Sequence, residues 1–175
     1  GVYATETIEV GEDIVNVPYE ILIEPDNYKE PVSSVMCGTV RAVAREMRLG
    51  AESRVGPYAV YLKGEKDASI PSTWSKPAQE LLLQVLETDK GELLPPERPV
   101  NYVEDWVKRC GGDINDELGL QALVMVVARA DDSSLIPVYD SLNHRNGNWT
   151  NTITLDNAEE GWQKTTADKT IEAGE

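Results

Sequence analysis

The spacing of apolar residues changes twice along the chain. Ile8, Val10, Ile14, Val15 and Val17 flank Gly11-Glu12, a pattern that predicts two short strands about a turn, stopped by Pro18. Ile21 to Ile23 adds a third short apolar piece before Pro25-Asp26-Asn27. A helical period follows, with Met36, Val40, Val43 and Met47 on one face, and predicts a helix from about Ser34 to Leu49 capped by Gly50. Gly56-Pro57, Lys63-Gly64 and Ile70-Pro71-Ser72 then punctuate a segment read as irregular, with Tyr58, Tyr61 and Trp74 as its anchors. Helical patterns resume over Lys76 to Glu87 and over Asn101 to Cys110, the second closed by Gly111-Gly112. A further helix spans Asp116 to Arg129, where Leu118, Leu120, Ala122, Leu123, Val124, Val126 and Val127 leave little polar surface and imply burial on most sides. From Leu135 to Tyr139 the period returns to that of a strand, and Ile153 and Leu155 with Trp162 and Thr165-Thr166 predict a hairpin across Asp156 to Gly161.

The outline is strands, helices, strands, which favours a single α+β unit whose chain ends meet. Its expected partition is N-terminal strands over 1–33, a helical insert over 34–134 and C-terminal strands over 135–175. No repeat, low-complexity tract or splitting linker is read along it. At 175 residues the chain is the size of one domain. No apolar run approaches the ~20 residues a membrane-spanning helix needs, so no membrane partner is expected. The net charge of −15 disfavours nucleic acid, whose phosphates call for Lys and Arg, and favours a basic polypeptide partner. Cys37 and Cys110 lack Cys-x-x-Cys spacing, which predicts two free thiols and a reducing compartment. The opening Gly-Val-Tyr carries no leader pattern, so a targeting segment is expected to be absent or removed. An intracellular location follows, with cytoplasm, nucleus and plastid left open. Asn148-Trp149-Thr150 fits the glycosylation acceptor pattern and is read as a plain polar turn.

Candidate chemistry concentrates in Asp140-x-x-Asn143-His144, which closes the apolar run begun at Leu135. An Asn side chain offers one acceptor and two donors, the complement of an adenine edge. Ordinary structural readings stand beside this one: an Asn- and Gly-rich turn, a packed histidine, and a turn-forming Asp140. His144 is the only histidine, so no multi-histidine metal site can form. Glu12 and Glu175 each follow a Gly and read as turn residues. The chain has no Gly-x-Ser-x-Gly elbow, no Gly-x-x-x-x-Gly-Lys loop and no Gly-x-Gly-x-x-Gly, which removes the usual support for hydrolase, kinase and dinucleotide readings.

Three ordered blocks resemble the SET-domain methyltransferases, in particular the branch with a long helical insert that includes the Rubisco large-subunit lysine methyltransferases and the actin-histidine methyltransferases. The first is Gly1, Ala4-Thr5 and Ile8-Glu9-Val10-Gly11-Glu12-Asp13-Ile14. The second is Leu49-Gly50, Pro57-Tyr58 and Pro71-Ser72-Thr73-Trp74. The third is Arg129 followed by Pro137, Asp140, Asn143 and His144, with Ile171, Gly174 and Glu175 at the close. No block is specific alone; the specificity lies in their joint order over essentially the whole chain.

The resemblance implies a SET-type β-fold built from both chain ends around a helical insert. It implies a protein N-methyltransferase using S-adenosylmethionine, without a metal, to methylate a lysine of a protein substrate. Asn143 and the main chain at His144 would hold the cofactor, with Gly1 at the pocket's edge; Arg129 and Asp140 would lie near the substrate side chain. Two departures accompany it. Residues expected before Gly1 are missing, and the family's catalytic tyrosine would fall past Glu175, so the chain reads as a domain trimmed at both ends with weak or no turnover by itself. A protein-histidine methyltransferase and a non-catalytic SET-like binding module are the alternatives.

Overall fold

The computed structural model describes residues 2–27, 35–66, 68–87, 99–131, 133–142, 147–157 and 159–175. The architecture is mixed α+β, as the periodicity predicts. Contacts divide the chain into two compact units, Gly1–Leu22 with Ile136–Glu175, and Ile23–Leu135.

The first unit holds a three-stranded antiparallel sheet ordered β1-β3-β2, with β1 over Asp13–Pro18, β2 over Thr152–Asn157 and β3 over Trp162–Ala167. The predicted hairpin is β2 and β3, in register from Thr152↔Ala167 to Asn157↔Trp162. Its turn closes through the Gly161 amide on the Asn157 carbonyl, 2.9 Å, with Gly161 at φ 72°. Alternation sends Val17, Thr165 and Ala167 inward, and Val17 forms a core with Leu22 and Ile136. On the other face Ile153 and Leu155 stay nearly half exposed, while Lys164 Nζ sits 2.9 Å from Asp13 and 4.9 Å from the Trp162 ring centre.

The chain ends meet in this unit. Ile8 and Ile171 exchange backbone hydrogen bonds of 2.9 and 3.0 Å, and the Ala4 amide donates to the Glu175 carbonyl at 2.9 Å. Two predicted strands shrink. Among the described residues before Gly11 only Ile8 forms a β-bridge, because the chain turns over Glu9–Glu12. In Leu135 to Tyr139 only Leu135 pairs, with Ile23; buried Pro137 then leads into Val138 at φ 72° and a short helical turn over Tyr139–Ser141. A β-branched residue in the left-handed region breaks an extended run that the apolar pattern cannot distinguish from a strand. The third apolar piece becomes a helical turn over Tyr19–Ile21, followed by that single bridge at Ile23.

The second unit carries α1 (Cys37–Leu49), α2 (Gly56–Gly64), α3 (Lys76–Leu86), α4 (Tyr102–Cys110) and α5 (Glu117–Arg129). α1 packs against α5 and α2, burying Val40, Val43 and Met47 from α1 and Leu123, Met125 and Val126 from α5. Gly50 ends α1 at φ 57°, as predicted; Ser34, the expected start, lies outside the described residues.

α2 occupies the segment read as irregular. Pro57 stands in its first turn, where a missing amide costs no hydrogen bond, and Tyr58, Ala59 and Leu62 form the buried side. Gly56 is there for closeness rather than for a break: a Cβ would lie 2.7 Å from the Ala51 carbonyl oxygen.

The cysteines are joined, contrary to the free thiols expected. Cys37 and Cys110 are bridged with Cα atoms 5.3 Å apart, tying the first residue of α1 to the last of α4. Spacing in sequence carries no information about two residues 73 apart that meet in space. The pairing also removes the argument from free thiols for a reducing compartment.

One buried polar group organises the α1–α2 corner. Glu46 is 4% exposed and accepts a 2.6 Å hydrogen bond from the Ser53 hydroxyl, whose oxygen in turn accepts the Val55 amide at 3.0 Å. Ser53→Ala leaves both groups short of a partner. It is expected to destabilise the protein by about 1–3 kcal/mol in a urea titration, whereas a loss below ~0.5 kcal/mol would show that the pair carries no stability.

Candidate functional site

In the sheet unit the two chain ends wall an open cleft of about 900 Å³. Tyr3, Thr5, Glu12, Leu142, Asn151 and Glu175 are among its lining residues. The opening segment reaches the cleft because Ala4 and Ile8 are tied to Glu175 and Ile171, and β1 begins on its border at Asp13. Glu12 and Glu175 are turn residues, as read: their Oε2 atoms accept the Glu9 and Glu172 amides at 2.7 and 2.9 Å. Threonine hydroxyls, the Asn151 amide and four carboxylates, Glu6, Glu12, Asp13 and Glu175, give this wall its polar chemistry.

The predicted site residues distribute as follows. Gly1, Asn143 and His144 lie outside the described residues; their described neighbours Val2 and Leu142 both line the cleft. Asp140 belongs to the same unit, within the Tyr139–Ser141 turn, where its amide donates to the Ile136 carbonyl at 3.2 Å and its Oδ1 accepts from the Ser141 hydroxyl at 3.3 Å. The residue before that turn's first, Val138, is 58% exposed and held at positive φ, a conformation that costs of order 1–3 kcal/mol and concentrates at functional loops.

Arg129 belongs to the helical unit, at the end of α5. Its guanidinium donates to the Tyr61 hydroxyl at 3.0 Å and pairs with Glu65 at 3.1 Å, and its Cζ lies 5.3 Å from the Tyr61 ring centre. The side chain is 17% exposed, so a nearly buried cation is oriented by an aromatic face and a carboxylate. Sequence reasoning missed Tyr61 and Glu65 as its partners. The signal was present in kind, a tyrosine in the last turn of α2 and an acidic residue just past its end, four apart, but only once the segment is known to be helical.

The helical unit has its own cleft of about 660 Å³ between α3 and α4, bordered by Leu83, Val103 and Val107 with Lys76, Glu80 and Glu104 at its margin. Among the described residues, neither Arg129 nor Asp140 lines it. Among the described residues no group of three or more His, Cys, Asp or Glu is placed to hold a metal ion, and no helix is long and apolar enough to cross a membrane. No protein-family model matches this chain, and no curated protein matches it in sequence.

Proposed function

We propose that this chain is the body of a SET-type protein-lysine N-methyltransferase that uses S-adenosylmethionine. The observation that carries the reading is the cleft formed where the chain ends pair, bordered by Val2 and Leu142, the neighbours of Gly1 and Asn143. Its volume falls within the ~300–1,000 Å³ usual for small-molecule sites. Carboxylates on its wall suit a ligand that is cationic at sulfur and at its amino group, and that carries a ribose diol able to donate to them.

When bound, S-adenosylmethionine supplies an electrophilic methyl group on a sulfonium. The work left to the protein is orientation and proton management. Asn143 would read the adenine edge with its amide, the His144 main chain would add a polar contact, and Gly1 would let the backbone approach closely. Arg129 and Asp140 would stand toward the protein substrate. A lysine attacks only as the neutral amine, yet its ordinary pKa is ~10.4, so a channel of low polarity must lower that value by desolvation. Collinear placement of amine and methyl supplies much of the remaining rate. The resemblance sets the tyrosine of this channel after Gly174-Glu175. A basic polypeptide substrate completes the reading.

Isothermal titration with S-adenosylmethionine tests it on a chain extended past both ends. Asn143→Ala is expected to weaken binding about 5- to 30-fold, the loss of one or two hydrogen bonds of ~1 kcal/mol each. Unchanged affinity would remove Asn143 from the pocket. With labelled cofactor and candidate proteins, label should appear on lysine; label on histidine alone would move the chain to the histidine-methylating branch, and binding without transfer would make it a binding module.

A further inference from the structure

Two segments at opposite ends of the chain repeat one another, a relation not read from the sequence. Ala4-Thr5-Glu6-Thr7-Ile8-Glu9-Val10-Gly11-Glu12 aligns without gaps on Ala167-Asp168-Lys169-Thr170-Ile171-Glu172-Ala173-Gly174-Glu175. The likeness extends to every backbone contact between them. The Ala4 amide donates to the Glu175 carbonyl at 2.9 Å, and the Ala167 amide to the Glu12 carbonyl at 2.9 Å. The Gly174 amide donates to the Ala4 carbonyl at 2.8 Å, and the Gly11 amide to the Ala167 carbonyl at 2.8 Å. At the centre, Ile8 and Ile171 exchange their bonds with each other.

Each copy then turns in the same way. Gly11 at φ 85° and Gly174 at φ 93° permit the turn, and Glu12 and Glu175 reach back to the Glu9 and Glu172 amides. The side chains cross as well. The Thr7 hydroxyl donates to Glu172 at 3.3 Å, and the Thr170 hydroxyl to Glu9 at 3.4 Å. The local two-fold therefore relates backbone, turns and side chains alike, and runs through the Ile8–Ile171 pair.

We infer that the paired ends form a reciprocal latch that walls the cleft and opens as one cooperative unit. An ordinary pair of strands can fray from one end of its ladder while the other end stays paired. Here each turn is fastened by the other copy: Gly11 and Glu12 bond to Ala167, while Gly174 and Glu175 bond to Ala4. Loosening one copy withdraws the partners of the other. Thr5, Thr7 and Gly11 on one copy and Ile171 and Glu175 on the other all line the cleft, so opening removes both walls together. The latch gives access to the cleft whatever ligand binds there, and it stands apart from the methyltransferase reading.

Hydrogen exchange of the ligand-free chain, resolved to peptides 4–12 and 167–175, tests the inference. Gly11→Ala places an L side chain at positive φ in open space, so the strain is conformational; exchange should quicken about tenfold in its own segment and equally in 167–175. Gly174→Ala should do the same in reverse. As milder variants, Thr7→Val and Thr170→Val should each raise exchange about two- to fivefold in both segments, and Thr7→Ser should restore the original rate. A rise confined to the altered segment, in either pair of variants, would overturn the cooperative latch.

Discussion

Replacing Cys37 with serine is expected to lower the unfolding free energy by about 4 kcal/mol, the chain-entropy value for a loop of this length. The bridge closes 73 residues of sequence, so its removal returns a large conformational space to the unfolded chain. The native state feels it mainly at α4. Trp106 is the one buried side chain of that helix, and the bridge holds the helix's last residue. The loss should appear as a urea midpoint lowered by roughly 1.5–4 M at an ordinary slope. Cys110→Ser, and the unaltered protein in excess reductant, should reproduce it. Coincident curves with and without reductant would show that the sulfurs are not joined.

Leu123→Ala is expected to cost about 2–5 kcal/mol, the range for deleting a leucine from a close-packed interior. Leu123 is fully buried on α5, the helix that packs against α1 and ends at Arg129. Close-packed neighbours, Val126 one turn along the same helix among them, would collapse only partly into the space left. Leu81 on α3 provides the control: it is 62% exposed, and its replacement by alanine should shift stability by no more than ~0.5 kcal/mol. Equal effects of the two substitutions in thermal or urea unfolding would place Leu123 outside the core.

These helices were the legible part of the fold, for a physical reason. α1 and α5 bury so many evenly spaced residues that their period survives in the sequence, and α4 ends at Gly111, held at φ 70° where glycine is favoured. The β2–β3 hairpin was readable from its strand-forming residues on either side of the Asp156–Gly161 turn, although the alternating Ile153 and Leu155 lie on its more exposed face. Elsewhere tertiary contact overruled local pattern. Gly56 looked like a breaker but serves a close approach to Ala51, and the run from Leu135 looked extended but turns at Val138. The bridge and the seat of Arg129 join residues distant in sequence, which no local period encodes. At the site, the meeting of the chain ends was foreseen from strands at both termini. The duplication was not, although Ile8-Glu9 and Ile171-Glu172 each precede a Gly-Glu pair, because a short match between distant segments carries no structural signal until the backbone pairs them.

Pairing between segments far apart in sequence also sets the order of assembly during synthesis. The segment from Ile23 to Leu135 contains its own packed helices and can gain them while the ribosome is still translating. Strand β1, finished early, has no hydrogen-bonded neighbour until β3 has emerged, and the partners of Ala4 at Gly174 and Glu175 follow later still. For that interval Val15 and Val17 lie in an unpaired strand, so the high contact order of this sheet predicts a late, slow closing step and a nascent chain that benefits from a chaperone.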